Sequence, residues 1–228
     1  MARVADQAER HEDVVDILKK LAKENPKLSS DERNLLSVAY KALTGSRRTA
    51  LRTVKAFLEE ETIQSVPARR EELEKLSTKL SNELDNLCDD LVKLIDESLL
   101  PADEDPNAKL FYEKLKADYY RYSAEFKTAE GRKEKSDKAA ECYKRAMEIG
   151  KENFEKANPQ YLGLALNYSV FLYEIEEKKF EAITLADDTF KSAVDFLDSL
   201  SEEEYSETTL VLQLLKDNVA LWNEEQQQ

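Results

Sequence analysis

SSDERNLLSVAYKALTGSRRTALRTVKAFLEE, residues 29–60, repeats apolar side chains three and four apart along its whole length. Ser29 and Ser30, followed by the acids Asp31 and Glu32, form a helix-start signal, because a serine hydroxyl and nearby carboxylates satisfy the unpaired N–H groups of a first turn. The periodicity continues through Gly45, which costs about 1 kcal/mol against Ala inside a helix but need not end it. The spacing therefore predicts one long helix from Ser30 to about Glu61. A chain of 228 residues with 4 Gly and 5 Pro has too few turn formers for a β-rich fold. The expected class is all-α.

Outward from this helix, breaks fall at Asn25-Pro26, Pro67, Pro101 to Pro106, Gly131, Asn158-Pro159 and Ser199 to Ser201. They divide the chain into nine predicted helices. Two short ones precede Pro26, and the fourth runs from Pro67 to just before Pro101. The fifth spans about Asp103 to Thr128, the sixth Arg132 to Phe154, and the seventh Pro159 to Glu176. The eighth spans Lys179 to Leu200 and the ninth Glu202 to Glu225. Short links favour antiparallel neighbours. No linker requires two independent domains, so residues 1–222 are expected to form one helical domain and 223–228 a disordered polar tail.

The formal net charge of −14 opposes general binding of nucleic acid or anionic lipid, so any anion site must be local. Cys88 and Cys142 sit in helical patterns and read as small core residues rather than a disulfide framework. No apolar run reaches membrane-spanning length, and the N-terminus is charged throughout. The expectation is a cytoplasmic protein, compatible with nuclear access and without membrane insertion or nucleic-acid partners.

Against that acidity, the quoted stretch gathers Arg33, Lys41, Arg47, Arg48, Arg52 and Lys55. Lys41, Arg48 and Arg52 stand at i, i+7 and i+11, which is one stripe of a helix. On most charged helices such a stripe is a solvated face. Here the residues four before and four after Arg48 are Thr44 and Arg52, so the usual acidic partners at that spacing are missing. A second stripe occurs in KLKADYYRYSAEF, where Lys114, Asp118 and Arg121 stand at i, i+4 and i+7 beside Tyr122. The predicted seventh helix places Asn167, Val170 and Glu174 on one stripe, and the ninth places Val211, Leu214, Asn218 and Trp222 likewise. An amide on each of two apolar helices fits a groove wall that bonds a ligand backbone.

RNLLSVAYK (33–41) and YSETTLVLQLLKDNVALW (205–222) resemble the two signature segments of the 14-3-3 family. DYYRY (118–122) and LGLALNYSVF (162–171) are similar to its middle and groove segments. The resemblance runs from about Asp6 to Trp222. It implies a nine-helix cup with a concave groove that binds phosphoserine or phosphothreonine peptides of client proteins, without catalysis or a cofactor. By motif position it assigns Lys41, Arg48, Arg121 and Tyr122 to the phosphate. It assigns Lys114, Leu166, Asn167, Val170, Glu174, Leu210, Val211, Leu214, Asn218 and Trp222 to the rest of the groove.

The same resemblance implies a homodimer, or a heterodimer with a paralogue, through Val4, Ala8, Arg10, Asp13, Val54, Phe57, Leu76, Lys79 and Glu83. Arg10 would pair with Glu83 of the second copy, and Asp13 with Lys79. The family's first helix begins earlier than Met1 allows, Leu76 stands where an aromatic is common, and residues 63–70 hold a small insertion. A weaker or differently shaped dimer is therefore expected. Leu51 replaces a customary Trp and Ala42 a customary Asn, neither in a phosphate role. The six residues after Trp222 offer no long acidic tail to fold over the groove.

Enzymatic readings find little support. His11 lies alone in a charged segment, and there is no Gly-rich phosphate loop or nucleophile elbow. The competing reading is a tetratricopeptide-like scaffold for unmodified peptide termini, but no 34-residue period recurs.

Overall fold

Long runs of strong helix formers, broken only at a few turn residues, dictate the secondary structure seen in a computed structural model, which describes residues 1–226. The main helices are α1 (Ala2–Gln7), α2 (His11–Glu24), α3 (Ser30–Glu59), α4 (Pro67–Leu94) and α5 (Pro106–Glu125). They continue as α6 (Ala129–Asn153), α7 (Pro159–Glu174), α8 (Lys179–Val194) and α9 (Glu202–Glu225). Short turns at Glu61–Gln64, Ile95–Leu99, Leu100–Ala102 and Leu197–Ser199 connect some of them. Among the described residues there is no strand, and no helix is long and apolar enough to cross a membrane.

The long helix is continuous through Gly45. Ser29 caps it by accepting from the Glu32 N–H at 3.3 Å while the Glu32 carboxylate receives the Ser29 N–H at 2.8 Å. Ser201 and Glu204 repeat this reciprocal cap on α9. Asn158 caps α7, its side-chain oxygen accepting from the N–H groups of Gln160 and Tyr161.

Several boundaries differ from the sequence expectation. α3 ends at Glu59, because Glu60 turns extended before the short helix Glu61–Gln64. Helical structure continues past Pro101, because a π turn at Ile95–Leu99 precedes the residue that cannot donate to the ordinary ladder. Gly131 lies inside α6, and the break falls instead at residues 126–128, just before Ala129, whose backbone is left-handed (φ 46°). α8 stops at Val194, since the chain must straighten at Leu200 and Ser201 to cap α9.

Backbone contacts divide the chain into two compact units, residues 1–104 with 126–132, and residues 105–125 with the chain from 133 onward. In the first, α3 packs on α2 and α4 around Val14, Leu18, Leu36, Tyr40, Leu84, Cys88 and Leu91. The Tyr40 hydroxyl donates to Asp90 at 2.6 Å, and Lys19 pairs with the same carboxylate. In the second, α7 packs on α5, α8 and α9. Its core contains Leu110, Tyr143, Leu162, Phe171 and Leu215. Cys142 belongs to that core, where burial pushes its thiol up to about 12. Both cysteines are buried and form no disulfide, as expected of small core residues.

Candidate phosphate and peptide site

The six cations of the long helix separate into two kinds. Arg33 donates to the Leu28 carbonyl at 2.9 Å and lies 3.7 Å from the buried Asp103. Arg47 donates to Glu83 on α4 at 3.3 Å. These two brace the first unit. Lys41 and Arg52 are exposed and Arg48 is half-buried, all on the stripe that the spacing predicts, and Lys55 is exposed off that stripe. Among the described residues Lys41 forms no ion pair within 4.0 Å, so its ammonium is held only by its helix.

In the second unit the side chains of one stripe on α5 converge on a single carboxylate. Asp118, 6% exposed, accepts from Lys114 Nζ at 2.9 Å and from Arg121 Nη2 at 3.4 Å. The Tyr143 hydroxyl on α6 donates to its Oδ1 at 2.5 Å, and Asn167 Nδ2 on α7 lies 2.9 Å from each of its oxygens. Arg121 Nε in turn donates to the Tyr143 oxygen at 3.2 Å, and the guanidinium carbon sits 4.9 Å from the Tyr122 ring centre. Helical spacing explains the α5 members, since i, i+4 and i+7 share a face. Tyr143 and Asn167 arrive because α6 and α7 pack beside that face.

The electrostatics follow from this packing. Burial alone would raise the Asp118 carboxyl, but the charges of Lys114 and Arg121 and the Tyr143 hydroxyl overcome it and hold it below the ordinary range. Burial works against the Arg121 cation, yet Tyr143 and Asp118 outweigh it and raise its pKa, so the guanidinium stays charged. Burial first and Asp118 second raise the Tyr143 phenol well above its usual value. Two cations around one anion leave a net charge of +1 on this cluster. Arg121 is 11% exposed and Lys114 27%, so the cluster touches solvent through its cations.

Most of the remaining predicted groove residues present themselves on the surfaces of α7 and α9. Leu166, Asn167 and Val170 are half-buried and Glu174 is exposed. Leu210 is 66% and Leu214 45% exposed, while Val211 and Asn218 are half-buried. Trp222 differs from the expectation of a lining residue. It is 5% exposed and stacks on Tyr173 at 4.5 Å, because the ring is the largest apolar surface α9 can bury. The Tyr173 hydroxyl donates to Glu225 at 2.6 Å, a bond that pushes it up to about 12.

Sequence reasoning missed Tyr143 and also Leu221, which is 51% exposed and stands seven residues after Leu214 on the same stripe. The helical period alone contained that second signal. Asn167, expected to bond a ligand backbone, directs its amide nitrogen to Asp118 instead, since a buried carboxylate is the stronger acceptor.

Of the residues assigned to a dimer contact, Val4, Ala8, Phe57, Leu76 and Lys79 are exposed. Val54 is buried at 6% in the core of its own unit, which removes it from any exposed face. Arg10 pairs with Asp13, three residues on, and Glu83 with Arg47, so three of the four predicted cross-dimer ions already have a partner in their own chain.

A family model described as 14-3-3 protein matches residues 1–223. The chain is similar to a 14-3-3 protein homolog of Trichoderma harzianum, at 42% identity over 222 residues, 97% of this chain and 85% of that one. It is 43% identical over 222 residues to the checkpoint signal transducer rad25 of Schizosaccharomyces pombe, covering 97% and 82% of the two chains. It is 42% identical over 224 residues to the 14-3-3-like protein GF14-E of Oryza sativa subsp. japonica, covering 97% and 86%.

Proposed function

The chain belongs to the 14-3-3 family, and from that premise we propose that it is a non-catalytic adaptor for phosphoserine- or phosphothreonine-containing segments of client proteins. Binding would regulate the activity, localisation or assembly of those clients. The observation that carries the reading is Arg121, a guanidinium held charged by Asp118 and Tyr143 and still open to solvent in an acidic protein.

A phosphoester brings about −1.5 to −2 charge and three acceptor oxygens. The guanidinium forks of Arg121 and Arg48, the Lys41 ammonium and the Tyr122 phenol match both quantities, and these four are assigned to the phosphate. The apolar side chains of α7 and α9, led by Leu210 and Leu214, are assigned to the residues flanking the phosphosite, with Asn218 and the amide oxygen of Asn167 for its backbone, the Asn167 nitrogen being engaged by Asp118. Signal transduction, the role in the name of the Schizosaccharomyces pombe relatives, is consistent with such an adaptor. Residues 1–222 are proposed to act as one 14-3-3 domain in the cytoplasm, with access to the nucleus.

The chain is also proposed to dimerise, homotypically or with a paralogue, through the exposed apolar side chains Val4, Phe57 and Leu76. Sedimentation at low micromolar concentration should then show a dimer, and a single monomeric species would remove this part.

Lys41→Glu and Arg48→Ala test the phosphate assignment. Each should abolish binding of a phosphoserine peptide in a pull-down while the helical circular dichroism stays that of the parent. Parental binding by either variant refutes the assignment, and capture that survives dephosphorylation of the peptide points to a scaffold for unmodified ligands.

A further inference from the structure

We propose that Tyr143 is a positioning residue for phosphate recognition, its hydroxyl holding the Arg121 guanidinium in one orientation before any ligand arrives. The inference rests on the phosphopeptide reading above and adds to it a residue from a different helix.

The hydroxyl has two neighbours at hydrogen-bond distance and a part for each. It donates to Asp118 Oδ1 at 2.5 Å and accepts the Arg121 Nε–H at 3.2 Å. Its proton is therefore committed to the carboxylate, and its oxygen lone pair faces the guanidinium. Burial and the Asp118 charge keep the phenol protonated, so this polarity does not reverse at any ordinary working pH.

The ring cannot drift. It is fully buried, stacked on Tyr168 at 5.1 Å between centres and tilted against Phe171 at 5.3 Å. Asp118 is equally fixed, gripped by Lys114, Asn167 and Tyr143 together. Arg121 is thus pinned at Nε by the phenol and at Nη2 by the carboxylate. Among the described residues its Nη1 donates to none. One side of the fork is tied to the protein, and the Nη1 edge is left for an acceptor with more than one oxygen. An arginine ordered in advance loses less rotamer freedom when a ligand binds.

Removing the phenol oxygen by Tyr143→Phe should release Nε and disturb Asp118 while preserving the ring. The experiment is a double-mutant cycle on the full chain, read as phosphoserine-peptide affinity by fluorescence anisotropy. Tyr143→Phe should weaken binding about tenfold in the parent, the usual scale for a charge-assisted bond. In an Arg121→Lys background, which keeps a cation but lacks Nε–H, the same change should cost less than twofold. A residue of merely structural importance would cost the same in both backgrounds, and equal costs or no cost in the parent overturn the proposal.

A second readout needs neither variant nor ligand. In the free parent, the Arg121 Nε–H should give a resolved, exchange-protected NMR resonance. A resonance averaged with those of solvent-exposed arginines overturns the positioning role. A parent that shows the protected resonance yet binds no phosphopeptide refutes the functional reading and leaves the positioning intact.

Discussion

Asp118 brings together more of the candidate site than any residue assigned to the phosphate itself. Its carboxylate meets two cations, a phenol and an amide, and its pKa lies below the ordinary range despite burial. A depressed folded pKa means that the stabilisation is present above the unfolded value near ~3.9 and disappears as pH falls through the folded value. The urea midpoint should therefore be flat from about pH 7 to 5 and drop on acidification below about pH 4. Asp118→Asn should cost about 3 kcal/mol at neutral pH, since it leaves two partly buried cations without their counter-charge, and should flatten that acid limb. An unchanged acid limb in the variant would show that Asp118 is not a source of it. At this scale the sequence was informative wherever one helix supplied all the members. Lys114, Asp118 and Arg121 share a stripe that spacing alone reveals, and so do Lys41 and Arg48. The meeting of Tyr143 and Asn167 with that carboxylate was beyond it, because periodicity shows that a face exists and not which face of another helix will meet it, 25 and 49 residues away.

Helices were legible for the same reason that they form. Ser29-x-x-Glu32 and Ser201-x-x-Glu204 are reciprocal caps written in four residues, and both occur where an apolar repeat begins. The ends were harder, since a π turn before Pro101 or a left-handed Ala129 is set by tertiary packing and leaves little local trace. Two glycines inside helices show the difference between propensity and packing. A Cβ at Gly45 would meet nothing within 4 Å, so Gly45→Ala should raise stability by about 1 kcal/mol. A Cβ at Gly150 would lie 2.4 Å from the Tyr161 ring, which is packed against the second unit's core. There α6 needs glycine for close approach, and Gly150→Ala should destabilise by about 1–3 kcal/mol despite the better helix former. Thermal denaturation of the two variants should move in opposite directions, and shifts of the same sign would contradict this account of α3 and α6.

Across the whole molecule, charge explains selectivity as well as affinity. A net −14 repels polyanions at a distance, so anion binding falls to local groups of cations such as the stripes on α3 and α5. The family was legible because its signature segments span both units and 97% of the chain aligns with relatives at about 42% identity. The identity of the anion is the claim on which everything else depends, and fluorescence anisotropy tests it most directly. One labelled peptide is titrated with the full chain in three forms, carrying phosphoserine, serine or glutamate at the same position. The phosphorylated form should bind at least ~100-fold more tightly than the other two, because neither supplies a dianion with three acceptor oxygens. Equal affinity for the three forms would contradict the account.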